Sequence, residues 1–181
     1  ASASNGIIER GIQSVEGQIR VFLDALECRW KVSIPTEHPI VCYVVEYAAL
    51  LLNRFEVGRD GKIAFERCKG KTAKTLGLEL GEAVFWKRKL SGGALGKLTS
   101  TWNDGVYLGV KGKSGEIIVA DGAGIWKARS IQRKPIEDRW SPESLEMIKF
   151  VPWRTSRDDP KADGAIPEVI KLDVREEVLE R

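Results

Sequence analysis

Apolar residues at positions 8, 12, 15, 19, 22, 23, 26 and 30 constrain this chain more than any other feature. Steps of three and four, sustained over about six turns, place Ile8, Ile12, Val15, Ile19, Phe22, Leu23, Leu26 and Trp30 on one helix face. The spacing predicts a helix over residues 7–31, with Ser4 or Asn5 as its cap. Gly11 and Gly17 each weaken it by about 1 kcal/mol relative to Ala, which a stripe this long outweighs. Glu9 falls in the first turn of that helix, where the helix dipole favours a carboxylate.

"SIPTEHP" (33–39) ends the pattern. A second helix is expected over 39–56, with Pro39 tolerated in its first turn. It is apolar on nearly every side, as a helix buried between neighbours is. "GRDGK" (58–62) reads as a loop, and "IAFERCKGK" (63–71) as a short helix ending at Gly70. From Gly81 the period changes to two. "EAVFWKRK" (82–89), "GVYLGVK" (105–111), "EIIVAD" (116–121) and "GIWKARSIQRK" (124–134) read as strands. "KSG" (113–115) and "DGAG" (121–124) are hairpin signals. Four or five such strands make a small barrel or a curled sheet. Residues 135–181 carry prolines at 135, 142, 152, 160 and 167 with no sustained period, and most of this segment reads as an extended, docking or disordered tail.

Charge divides the chain the same way. Residues 1–80 hold 11 Lys/Arg against 10 Asp/Glu, residues 81–134 hold 10 against 4, and residues 135–181 hold 8 against 12. The middle block is therefore basic, with an acidic segment behind it. In "IWKARSIQR" a strict period of two places Lys127, Arg129 and Arg133 on one face, opposite Trp126 and Ala128. Lys87, Arg88, Lys89, Lys97 and Lys134 add to the same block. A small barrel with one basic face suits phosphate contacts, and a solvated lysine face is the plain alternative.

Other chemistries are excluded by count. His38 is the one histidine, and Cys28, Cys42 and Cys68 form no C-x-x-C pair, so the usual zinc arrangements fail. "GKT" (70–72) lacks the earlier glycine of a phosphate loop, because Phe65 stands there. The most apolar run, residues 40–52, contains Glu46 and is shorter than the roughly 20 residues that cross a bilayer. No signal segment opens the sequence, and the sparse cysteines suit a reducing compartment. A chain without a membrane span, in the nucleus or cytoplasm, is expected.

One segment carries a resemblance. "NGIIERGIQSVEGQIRVFL" (5–23) resembles the last catalytic motif of retrotransposon and retroviral integrases, in which Asn-Gly-x-x-Glu-Arg opens a long helix. "VVEYAALLLNRFEVGRDGKIAFERCKGK" (44–71) resembles the family's alanine-rich helix, Leu-Asn-Arg and Gly-Lys-Thr-Pro-Tyr-Glu segment. "GKLTSTWNDGVYLGV" (96–110) and "SGEIIVADGAGIW" (114–126) resemble the small β-region that follows the core in copia-type elements, with gypsy-type elements as the alternative. The likeness spans residues 4 to 132. Ile12 and Gln13 replace a commoner Asn-Arg, and the proline of the Gly-Lys-Thr-Pro motif is absent.

The resemblance implies an α+β chain of three parts. These are the helical C-terminal half of an RNase H-like integrase core (1–78), a small basic antiparallel β-barrel-like module (79–134) and an irregular, Pro-rich, acidic tail (135–181). It implies that Glu9 is a catalytic metal ligand, completed by two aspartates upstream, for Mg²⁺ or Mn²⁺ in a finished site only. Two such ions serve phosphoryl transfer in DNA strand transfer. Arg10, next to the carboxylate, and Gln13, one turn after it, join the basic residues as DNA contacts. Expected partners are DNA, the upstream integrase segment and a second copy. The alternatives are a non-catalytic nucleic-acid-binding module and an integrase-derived docking subunit.

Overall fold

The computed structural model describes residues 2–73, 77–88, 101–112 and 114–155. Lys89 and Lys97 lie outside them. The chain is a mixed helix-and-strand protein in which three helices precede a closed four-stranded antiparallel barrel.

Helix α1 runs Ser2–Trp30. It starts before the expected position, so Ser4 and Asn5 lie inside it rather than capping it. Glu9 is consequently past the first turn, which holds no acidic residue, and the dipole no longer accounts for its placement, since that effect fades within one turn. His38 begins α2 (Ile40–Phe55): its Nδ1 accepts the Ile40 backbone N–H at 3.2 Å. The two helices run antiparallel. Phe22 meets Tyr47 edge-to-face at 5.5 Å, whereas Ser14 and Gln18 lie beside Leu51, Leu52 and Phe55. The end of α2 therefore reaches only as far as Ser14, and the α1 residues before it extend about 18 Å beyond. Helix α3 (Ala64–Lys69) ends on Gly70 in the left-handed conformation, as the sequence predicts.

The strands are β1 (Ala83–Arg88), β2 (Asn103–Val110), β3 (Ile117–Ala120) and β4 (Ile125–Arg133). Each pairs with its neighbour, and β4 closes back on β1. The Asp121 carboxylate accepts the N–H groups of Ala123 and Gly124 at 3.0 and 3.1 Å, which fixes the β3–β4 turn. Val84, Trp86, Tyr107, Val119 and Ala128 fill the barrel.

Part of the barrel's outer face packs against the helices. Val106, Leu108 and Ala120 join Leu26, Trp30, Val32, Ile40, Tyr43 and Val44 in a second apolar cluster. Fully burying an indole such as Trp30 removes about 150–250 Å² from water, worth about 4–6 kcal/mol before entropy is counted. This cluster joins the helices and the barrel in one packed unit. Gly81, just before β1, has φ +85, and a Cβ there would meet the Trp30 ring at 2.7 Å. Only glycine allows both the turn and that approach.

Residues 135–155 correct the expectation of a tail. A short 3-10 turn (Ile136–Asp138) leads to α4 (Glu143–Glu146), and Leu145 and Ile148 are fully buried in the shared cluster. Trp140 packs against Trp30 with ring centroids 6.2 Å apart, and Arg29 stacks on it at 4.5 Å. Apolar residues spaced by proline dock as single anchors, which is why no period announces them. Residues 156–181 lie outside the described residues. Among the described residues, no helix is long and apolar enough to cross a membrane.

Candidate functional site

Two regions hold the residues singled out from the sequence. The first is the free end of α1. Glu9, Arg10 and Gln13 are exposed there, and Ile7, Ile8 and Ile12 are 73, 63 and 53 % exposed. Ile8 and Ile12 continue the stripe that lower down packs through Ile19, Phe22, Leu23 and Leu26. Among the described residues Glu9 makes no hydrogen bond or ion pair. Glu9 and Gln13 stand one turn apart, so they present side by side.

The second region is the barrel, where Lys127, Arg133 and Lys134 pair with carboxylates of the same region. The Arg133 guanidinium donates to both oxygens of Glu82, from Nε at 2.6 Å and Nη2 at 2.9 Å. Glu82 is fully buried. It also takes the Glu79 N–H at 3.2 Å and lies 3.5 Å from the Arg139 Nε. The bond to Glu82 pushes the Arg133 pKa further up. Lys127 pairs with Glu116 at 2.9 Å, and Lys134 pairs with Asp104 while lying 4.9 Å from the Phe85 ring centre. Lys87 is half-buried, 4.4 Å over the Trp102 ring. Arg88 ends β1. Arg129 is exposed and makes no ion pair among the described residues.

The single basic face on β4 needs correction. Lys87 pairs with Ser130 but Arg88 with Ala128, so Arg129 is an extra residue, a β-bulge. The bulge flips the alternation. Lys127 and Arg129 point outward, whereas Arg133 lies opposite Val84, on the side that Val84 and Trp86 use to fill the barrel. Residues at even spacings along a strand share a face only when no bulge intervenes.

Sequence reasoning missed Glu82 and Tyr43. The signal for Glu82 is a carboxylate directly before the apolar run Ala83–Trp86, where an exposed residue is expected only if the strand begins in solvent. Tyr43 is hidden by a helix that is apolar on all sides. His38, read as structural, is buried, and burial lowers its pKa to about 4. No group of three or more metal-ligating side chains occurs among the described residues. Glu9 is thus a single carboxylate, and the residues present do not by themselves make a two-ion site.

No protein-family model, curated protein or solved structure matches this chain.

Proposed function

We propose that this chain supplies the C-terminal part of a retrotransposon integrase, copia-type in its order of segments. Its helices complete an RNase H-like core, and Glu9 serves as one of three acidic ligands for divalent ions. The observation that carries this reading is the end of α1, where an exposed apolar stripe stands beside a carboxylate that has no partner among the described residues. Leaving a side chain such as Ile8 or Ile12 in water forgoes about 1.5–3 kcal/mol relative to burial. A further protein layer laid on that stripe would recover it and bring acidic residues toward Glu9.

The placement of Glu9 beyond the first turn supports the same reading, because it removes the helix-dipole explanation. Carboxylates suit Mg²⁺ or Mn²⁺, hard ions that prefer oxygen ligands. The aspartates would come from upstream of Ala1, and no ion-dependent step is assigned to this chain alone. Arg10 and Gln13 would face the DNA bound at such a site. On the barrel, Arg129 and Lys87 would add contacts, with Lys127 available when its pair with Glu116 opens.

The docking-subunit reading draws on a different observation, the pairing of Lys127, Arg133 and Lys134 with nearby carboxylates. It requires no DNA contact from the barrel.

The test is reconstitution. Residues 1–181 alone should neither cleave nor join DNA ends with Mg²⁺ or Mn²⁺. The polypeptide extended through the upstream coding sequence should do so. Activity from 1–181 alone, or an extended polypeptide that lacks both activity and DNA binding, would overturn the proposal.

A further inference from the structure

Between α2 and the barrel runs an apolar groove of about 790 Å³. Tyr47 and Leu50 line it on the helix, and Leu108, Ile118 and Trp126 on the strands. Its margin carries charge of both signs. Glu46 and Lys111 are exposed there, and neither makes an ion pair among the described residues.

The chain's own path leads to this groove. Thr155 is the last described residue, and it lines the groove together with Pro152. Its carbonyl accepts the Ile125 N–H at 2.8 Å, at the start of β4. Gly124 eases that approach, because a Cβ there would stand 3.0 Å from the same oxygen. The sequence then continues for 26 residues, with 8 Asp/Glu against 5 Lys/Arg.

Within those residues one run alternates strictly. In an extended chain Ile170, Leu172 and Val174 share one face, and Lys171, Asp173 and Arg175 the other. Asp163-Gly164 is a tight-turn pair. Asp163 stands eight residues after Thr155, and Leu172 stands eight residues after Gly164. A reversal at that pair therefore returns Leu172 to the level of Thr155. Pro160 and Pro167 fall opposite each other in this reversal and donate no N–H, so a regular ladder between the two arms is interrupted there. The apolar face of the returning arm needs a surface of its own.

We propose that residues 170–174 of the same chain seat on this groove. Ile170, Leu172 and Val174 turn toward Tyr47, Leu108 and Trp126. Lys171, Asp173 and Arg175 face outward, where Glu46 and Lys111 offer charges of both signs. The seat is independent of Glu9 and of the integrase reading.

Methyl NMR on the full chain tests it. The Leu172 methyls should show nuclear Overhauser contacts to the Tyr47 and Trp126 rings. Leu172→Asp, made outside the described residues, should shift the methyl resonances of Leu108 and Ile118 and leave those of Leu26 and Val32, in the shared core, in place. Mixing isotope-labelled with unlabelled chains should show that the contacts run within one chain. Leu172 methyls without ring contacts, Leu108 and Ile118 resonances that ignore Leu172→Asp, or contacts that run between two copies would each overturn the proposal.

Discussion

The free end of α1 and the barrel carry charge in opposite ways. On α1, Glu9, Arg10 and Gln13 are exposed, beside an apolar stripe that nothing described covers. In the barrel, Glu82 takes Arg133 and Arg139, Glu116 takes Lys127, and Asp104 takes Lys134. The region with the larger net charge thus holds three of its cations, Lys127, Arg133 and Lys134, against its own carboxylates. Counting Lys and Arg along the chain finds the basic block, but partner geometry decides whether that charge reaches a ligand.

The sharpest test of this contrast is stability. Arg133→Ala leaves the buried Glu82 with the Glu79 N–H and its longer contact to Arg139, but without its close counter-ion. Breaking a buried ion pair from one side costs about 3–5 kcal/mol, so chemical denaturation should show a loss at the lower end of that range. Glu9→Gln or Arg10→Ala on the free helix end should stay within about 0.5 kcal/mol of the parent, as exposed substitutions usually do. Equal effects in the two regions would erase the distinction.

Acid tests a third place, the start of α2. His38 is buried and its pKa is lowered to about 4, against 6.5 unfolded. Between those values the unfolded chain binds more protons than the folded one, so stability falls as pH drops through that window. A shift of that size corresponds to about 3 kcal/mol. Denaturation midpoints at pH 7 and pH 4 measure it, and His38→Asn should flatten the difference. If the slope persists in His38→Asn, other groups carry it.

Tyr43→Phe should change stability in the opposite direction from Arg133→Ala. It removes a buried hydroxyl that has no hydrogen-bond partner, without opening a cavity, and an unpaired buried polar group costs roughly 1–3 kcal/mol. The variant should therefore be more stable by about 1 kcal/mol in thermal or chemical melts. A loss of stability would mean that the hydroxyl is satisfied.

Much of this architecture is legible in the sequence. Eight apolar residues at helical spacing specify α1, and the two hairpin signals bracket β3 within a residue or two. A local period reports local structure. The bulge at Arg129 is not legible, because one inserted residue changes side-chain direction without changing composition. Nor is the docking of Trp140, Leu145 and Ile148, where isolated anchors separated by Pro142 show no period. Glu9 stands out only through its motif. Its exposure, and its distance from the helix start, come from the structure.

The smallest expected effect concerns DNA. With Arg133 and Lys134 held internally, Arg129→Ala should remove at most one phosphate contact. It should lower the salt slope of duplex binding by about 0.9, read from fluorescence anisotropy at several salt concentrations. A drop of three in Arg129→Ala, or none with affinity also unchanged, would mean that the barrel's ion pairs have been assigned the wrong weight.

The central claim is that Glu9 belongs to a composite, ion-dependent site. Its most direct test is strand transfer by the upstream-extended polypeptide, comparing Glu9→Gln with Glu16→Gln, another exposed glutamate of α1. Losing a carboxylate that holds a catalytic ion should reduce joining to background with Mg²⁺ and with Mn²⁺, at unchanged melting temperature, whereas Glu16→Gln should retain activity. Full activity in Glu9→Gln would contradict the account.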